Sequence, residues 1–166
     1  MAGEETVVLG LDPGTRCTGW GIVVERSGVA RLVAAGTLRP SPKAPMDVRL
    51  GHIFAGLARL IAEHKPHEAA LESSFSARNA ATAIKLGQAR GAAMAACAQA
   101  GIRVRDYEPS KVKKSLVGQG RAEKSQVAFM VGQVLGVKPD WAEDASDALA
   151  VAICHLNHRR LARLTA

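Results

Sequence analysis

The run from Thr6 to Leu11 is β-branched or aliphatic at nearly every position, and it ends in Asp12 followed at once by Pro13-Gly14. An apolar run of strand length without alternation predicts a strand covered on both faces, and Pro-Gly predicts a turn directly after it. A carboxylate at the end of a buried strand is expensive unless a cation or a network of donors pairs it. That requirement constrains the rest of the chain, which must fold so as to bring a partner to Asp12.

Read in order, Thr18 to Glu25 predicts a second strand broken by glycines at 19 and 21. Ser27-Gly28 supplies a turn, and Ala30 to Leu38 a third strand, so the first three form an antiparallel meander. Arg39 to Pro45 holds three prolines and reads as a loop. Beyond Asp47, a candidate N-cap, Leu50, Ile53, Phe54, Leu57, Leu60 and Ile61 recur at helical spacing up to Pro66. Ala69 to Leu71 is a brief buried strand that runs into Glu72. A helix between two strands implies a crossover, so this fourth strand can lie parallel to the first. A polar loop, Ser73 to Asn79, carries Phe75. Ala80 to Ala100 then reads as an Ala/Gly-rich helix stopped by Gly101. A fifth strand follows at Ile102 to Tyr107, then helices from Pro109, from Ala122 to Leu135 and from Asp140 to Leu164. The order β-β-β-α-β-α-β-α-α-α predicts an α/β fold, a mixed sheet with helices on both faces, in one domain over residues 1–166.

Charge and cysteine content narrow the classes of function. The chain has 22 Lys and Arg against 15 Asp and Glu, a net charge of +7, which favours a polyanionic partner such as nucleic acid. Cys17, Cys97 and Cys154 are odd in number and show no metal-ligand spacing, so a reduced protein of the cytoplasm is expected. No apolar run reaches the roughly 18 residues of a membrane span, and the first residues do not resemble a signal peptide.

Four acids stand out by position. Asp12 and Glu72 end neighbouring strands, while Asp144 and Asp147, three apart on one helix, share a face. Carboxylates brought together repel and raise one another's pKa, so such a cluster is stable mainly around cations. Oxygen ligands without His or Cys at ligand spacing favour magnesium or manganese over zinc. Two such ions roughly 4 Å apart can activate water and stabilise the leaving oxygen of a phosphodiester. Each acid also has a structural reading: Asp12 capping its turn, Glu72 pairing with a basic side chain, Asp144 complementing a helix dipole. Asp147, in Ala-Ser-Asp-Ala-Leu-Ala-Val-Ala, lies in an otherwise apolar stretch where an unpaired carboxylate would be costly.

Six strings carry a family resemblance: Gly-Leu-Asp-Pro-Gly-Thr-Arg (10–16), Leu-Glu-Ser-Ser-Phe (71–75), Ala-Ile-Lys-Leu-Gly-Gln-Ala-Arg-Gly (83–91), Val-Lys-Lys (112–114), Ala-Glu-Lys-Ser-Gln-Val (122–127) and Asp-Ala-Ser-Asp-Ala-Leu-Ala (144–150). In that order they resemble the RuvC family, bacterial Holliday junction resolvases with an RNase H-like fold. The resemblance implies a homodimer that binds four-way DNA junctions and nicks two strands of like polarity, using magnesium. It places the family's metal-binding acids on Asp12, Glu72, Asp144 and Asp147, the four found above. Some relatives carry His where Asp144 stands. It places the basic residues near the scissile phosphate on Lys113 and Lys124, and the base-stacking aromatic on Phe75. Arg78 would then serve nearby phosphates, with Asn79 and Lys114 as further DNA-binding candidates. The small residues Ala83, Gly87 and Gly91, with Met94, lie near one face of their helix and mark a candidate dimer interface. The alternative is that they seat the helix on its own sheet. Tyr107 and Trp20 are expected in the core. The resemblance also offers a branch-migration motor, RuvA and RuvB in relatives, as a partner.

Three rival readings are available. Asp-Pro-Gly-Thr after a first strand also resembles the phosphate motif of actin-like ATPases and sugar kinases, which use two such domains around a nucleotide. The YqgF group of RNA-processing nucleases is related but lacks the Phe75 loop as written here. A non-catalytic junction binder would gain nothing from four clustered carboxylates facing a polyanion.

Overall fold

The structure, a computed structural model, describes residues 3–73 and 78–166. Five strands form one sheet: β1 (Thr6–Asp12), β2 (Thr18–Arg26), β3 (Val29–Leu38), β4 (Glu68–Glu72) and β5 (Arg103–Tyr107), in the order β3-β2-β1-β4-β5. The first three are antiparallel, and β1, β4 and β5 run parallel. The helices are α1 (Met46–His64), α2 (Ala80–Gln99), α3 (Pro109–Val117), α4 (Lys124–Leu135) and α5 (Glu143–Leu164). The β2–β3 turn is tight because Ser27 and Gly28 both take positive φ, 50° and 81°, which matches the right-handed twist of the hairpin.

The sheet separates two cores, and the two-residue period of β1 shows how. Leu9 and Leu11 face α1 and α2, packing with Ile53, Leu57, Leu71, Ala89 and Ala93. Val8 faces the other way, into a core with Val131, Leu149, Ile153 and Leu156 from α4 and α5. Residues 8, 10 and 12 therefore share the α5 side, as do 68, 70 and 72 of β4.

Helix α5 packs on this face at unusually close range, and glycines make that possible. A Cβ on Gly10 would lie 1.9 Å from the Ala148 carbonyl oxygen, and one on Gly19 would lie 1.9 Å from that of Asp144. Gly21, opposite Gly10 in the ladder, meets the Leu149 side chain in the same way. The glycines expected to break the second strand thus leave it unbroken. Their function is close backbone approach rather than chain interruption.

Helix boundaries differ from expectation at three starts. Asp47 is not the N-cap of α1; Pro45 occupies that position, and Asp47 sits in the first turn, where its charge complements the dipole. Helix α4 begins at Lys124 rather than Ala122, because Glu123 forms a reciprocal capping box with Gln126. Helix α5 begins at Glu143 rather than Asp140.

Candidate active site

Asp12 is the last residue of β1 and pairs in register with Gly19 of β2. Because Gly19 touches the Asp144 carbonyl, the start of α5 lies directly over the end of β1. One helical turn brings Asp147 to the same face as Asp144. Asp12, Asp144 and Asp147 each offer an oxygen within 4.8 Å of the others. Glu72, at the end of the adjacent strand β4, lines the same cleft, together with Lys113 of α3 and Lys124 of α4.

The electrostatics are those of an acid cluster short of positive charge. Burial, reinforced by Asp147, Glu72 and Asp144, pushes the Asp12 carboxyl up to about 8. Burial and then Asp147 raise Glu72, against the opposing pull of Lys124 and Lys113. Asp147 is raised as well, chiefly by burial, although Lys124 partly offsets it. Asp12 does not brace its own turn. Instead the Thr18 hydroxyl does so, accepting from the Gly14 N–H at 3.2 Å and donating to the Gly14 carbonyl at 2.9 Å. Glu72 has no basic partner among the described ion pairs.

Lys124 is tied into the cluster. Its Nζ lies 3.0 Å from Glu143 and 3.4 Å from Asp147. The Glu143 hydrogen bond, the largest influence, raises its pKa and keeps it charged. Glu143 escaped the sequence reading because an acid in a first helical turn is ordinary. Arg90 of α2 also lines the cleft and was not foreseen; Asp106 of β5 holds it at 2.5 Å. Only the α2–β5 packing brings it there, so no local pattern announced it.

The match to known proteins is extensive. The family model for RuvC, crossover junction endodeoxyribonuclease, matches residues 8–155. The chain belongs to the RuvC family. A RuvC of Nitratidesulfovibrio vulgaris (strain DP4) is 59% identical over 99% of this chain and 98% of that one. The structure of T. thermophilus RuvC in complex with Holliday junction substrate is 36% identical, with a TM-score of 0.89 over 95% of this chain and 96% of that one. The yeast mitochondrial resolvase Ydc2, at 11% identity and a TM-score of 0.64 over 97% of this chain and 85% of that one, shares the fold. That fold, the mixed five-stranded sheet with helices on both faces, is RNase H-like.

The other residues singled out on the RuvC resemblance are more dispersed. Lys114 and Arg78 are exposed, and neither lines the acid cleft. Asn79 caps α2, its Oδ1 accepting from the Thr82 N–H at 2.9 Å. Phe75 lies outside the described residues. Tyr107 is buried, as expected, and its hydroxyl is 2.7 Å from His155 Nδ1. Trp20 is half-buried against the core on the α1 side, and Trp141 packs at the edge of the other core. No helix among the described residues is long and apolar enough to cross a membrane.

Proposed function

We propose that this RuvC-family chain resolves four-way DNA junctions as a magnesium-dependent homodimer, residues 1–166 acting as one nuclease domain in the cytoplasm. The observation that carries the reading is the cleft in which Asp12, Asp144 and Asp147 converge within 4.8 Å beside Glu72, Lys113 and Lys124. The donor set fits a hard divalent cation: it is all oxygen and partly buried, and burial, with repulsion from the other acids added, holds Asp12 up at about 8. Manganese would fit the same ligands. Two ions held there would supply water activation and charge neutralisation at the phosphodiester.

The chain's own groups do the rest. Asp12 and Glu72 are fixed by the ends of paired strands, Asp144 and Asp147 by one turn of α5, so the four keep a rigid geometry. Lys113 and Lys124 line the same cleft and stabilise the charge that accumulates on the phosphate during displacement. Glu143 also anchors Lys124, so the lysine would keep a partner if Asp147 were to hold a cation. Phe75 is proposed to stack on unpaired junction bases, with Arg78, Asn79 and Lys114 as DNA contacts outside the acid cleft.

Two symmetric nicks require two active sites, which a two-fold dimer supplies. The α2 face supports this reading. A Cβ on Gly87 or Gly91 would meet nothing within 4 Å, so these glycines do not seat α2 on its own sheet; Ala89, Ala93 and Ala96 do that. Nearby Ile84 and Met94 are 62% and 37% exposed. Gly91→Leu is expected to give a folded monomer by sedimentation that no longer makes paired nicks in a circular cruciform.

The direct test is incubation of purified protein with a synthetic mobile four-way junction, with and without magnesium. Paired, symmetric, magnesium-dependent nicks are expected. Cleavage of plain RNA, or none of the junction, would overturn the reading.

A further inference from the structure

Beside the acid cleft lies a second one, about 530 Å³ in volume, that the catalytic reading leaves unused. Its cationic lining residues come from three separate parts of the chain. The turn after β1 gives Arg16, the first turn of α1 gives Arg49, and the start of α2 gives Lys85. Arg39 lies close enough to lower the pKa of Cys17, another wall residue. None of these four cations pairs with a carboxylate among the described residues. Arg49 is nonetheless held in place, its Nε and Nη2 donating to the Thr15 carbonyl at 3.2 and 2.9 Å.

Asp144 and Leu86 line both clefts, so the two are continuous. Asp144 therefore borders both the acid cluster and the cleft of unpaired cations. Like charges gathered from three elements repel one another, and Asp144 is the one carboxylate among the described residues that lines the cleft with them. A phosphate does so, and a guanidinium fixed by a carbonyl is already oriented to bind one.

We propose that this second cleft holds a backbone phosphate of the strand being cut, next to the scissile one, with Arg16 and Lys85 as the contacting cations and Arg49 as the fixed wall. The cleft thereby sets which phosphodiester reaches the acids. This rests on the junction-cleaving function proposed above. The turn that forms one wall is the Asp-Pro-Gly-Thr string shared with nucleotide-binding proteins, so ATP is the competing occupant. Continuity with the acid cleft favours the DNA strand, because a backbone must run on past the site of cutting.

The test measures junction affinity in EDTA across a salt series for wild type, Arg16→Gln, Lys85→Gln and the double variant. Arg31→Gln, an exposed charge on β3 away from both clefts, is the control. Each cleft substitution should reduce the slope of log K against log salt by about 0.7–0.9, the double variant by about twice that, and the control by nothing. Replacing the phosphate next to the scissile one by a neutral methylphosphonate should weaken wild type and leave the double variant unaffected. Arg16 and Lys85 are exposed, so their substitution should leave the fold intact, which thermal melts of each variant check. A double variant with the wild-type slope would overturn the proposal alone. So would saturable ATP binding lost in that variant while its junction slope is kept. A wild type that binds no junction would overturn the function beneath it.

Discussion

Strand β4 begins and ends in glutamate, and its two ends differ in how those charges are treated. Glu68 and Glu72 lie on the same face, toward α5. Glu68 is satisfied by the chain itself: Arg159 and the buried His155 both contact it. Burial and Arg105 lower the His155 pKa to about 4, so its imidazole stays neutral and accepts from Tyr107 at one nitrogen while meeting Glu68 at the other. Glu72 lines the cleft of the three aspartates and is pushed up by burial and Asp147. Helix α5 spans both environments, with Asp144 and Asp147 at one end and His155 and Arg159 at the other. An acid matched by the chain's own cations belongs to the architecture, whereas acids left mutually repulsive are waiting for a charge from outside.

The sharpest way to break this comparison is Asp12→Asn. It removes a ligand charge while keeping shape, so cleavage should fall at least about 10³-fold, with junction binding kept or tightened. Loss of fold or of binding in a gel-shift assay would move Asp12 into the structural class with Glu68. Next in size is Lys124→Ala, expected to slow single-turnover cleavage on the order of 10²-fold while weakening affinity less. Equal losses in both would make Lys124 an ordinary backbone contact.

The pH dependence separates the two ends further. A carboxyl whose folded pKa is about 8, against an ordinary 3.8, binds more protons folded than unfolded throughout that interval. Stability of the metal-free protein should therefore fall as pH rises from about 4 to 8. Saturating magnesium should flatten that fall, as should Asp12→Asn, and ion affinity should rise up to about tenfold per pH unit over the upper part of the range. Thermal melts in EDTA and in magnesium measure both effects. A flat metal-free profile would mean that the cluster is already neutralised.

The smallest effect on activity is expected at the satisfied end. Glu68→Gln leaves Arg159 without its carboxylate and should cost about 1–3 kcal/mol of stability by denaturant unfolding. Cleavage at permissive temperature should remain within about twofold of wild type. A large loss of cleavage in a folded variant would show that the two ends of α5 are coupled.

Much of the architecture was legible locally. The apolar run before Asp12, the Ser27-Gly28 turn and the period of Leu50 to Ile61 each report short-range physics, and the crossover between Leu38 and Ala69 allowed the parallel pairing of β4 with β1 that the structure has. Asp12, Glu72 and Asp147 could be picked out because a carboxylate at the end of a buried strand, or in an apolar helix, is anomalous without its neighbours being known, whereas Asp144 stood out only by its spacing of three from Asp147. Tertiary structure alone decided how close they come. Gly19 and Gly21 looked like interruptions of a strand, yet with Gly10 they are the surface on which α5 rests, because the absence of a Cβ has meaning only once the opposing backbone is in place. The same holds for Arg90, Glu143 and Arg49. A charge on a helix reads alike whether it faces water or a cleft, and packing between distant segments determines which.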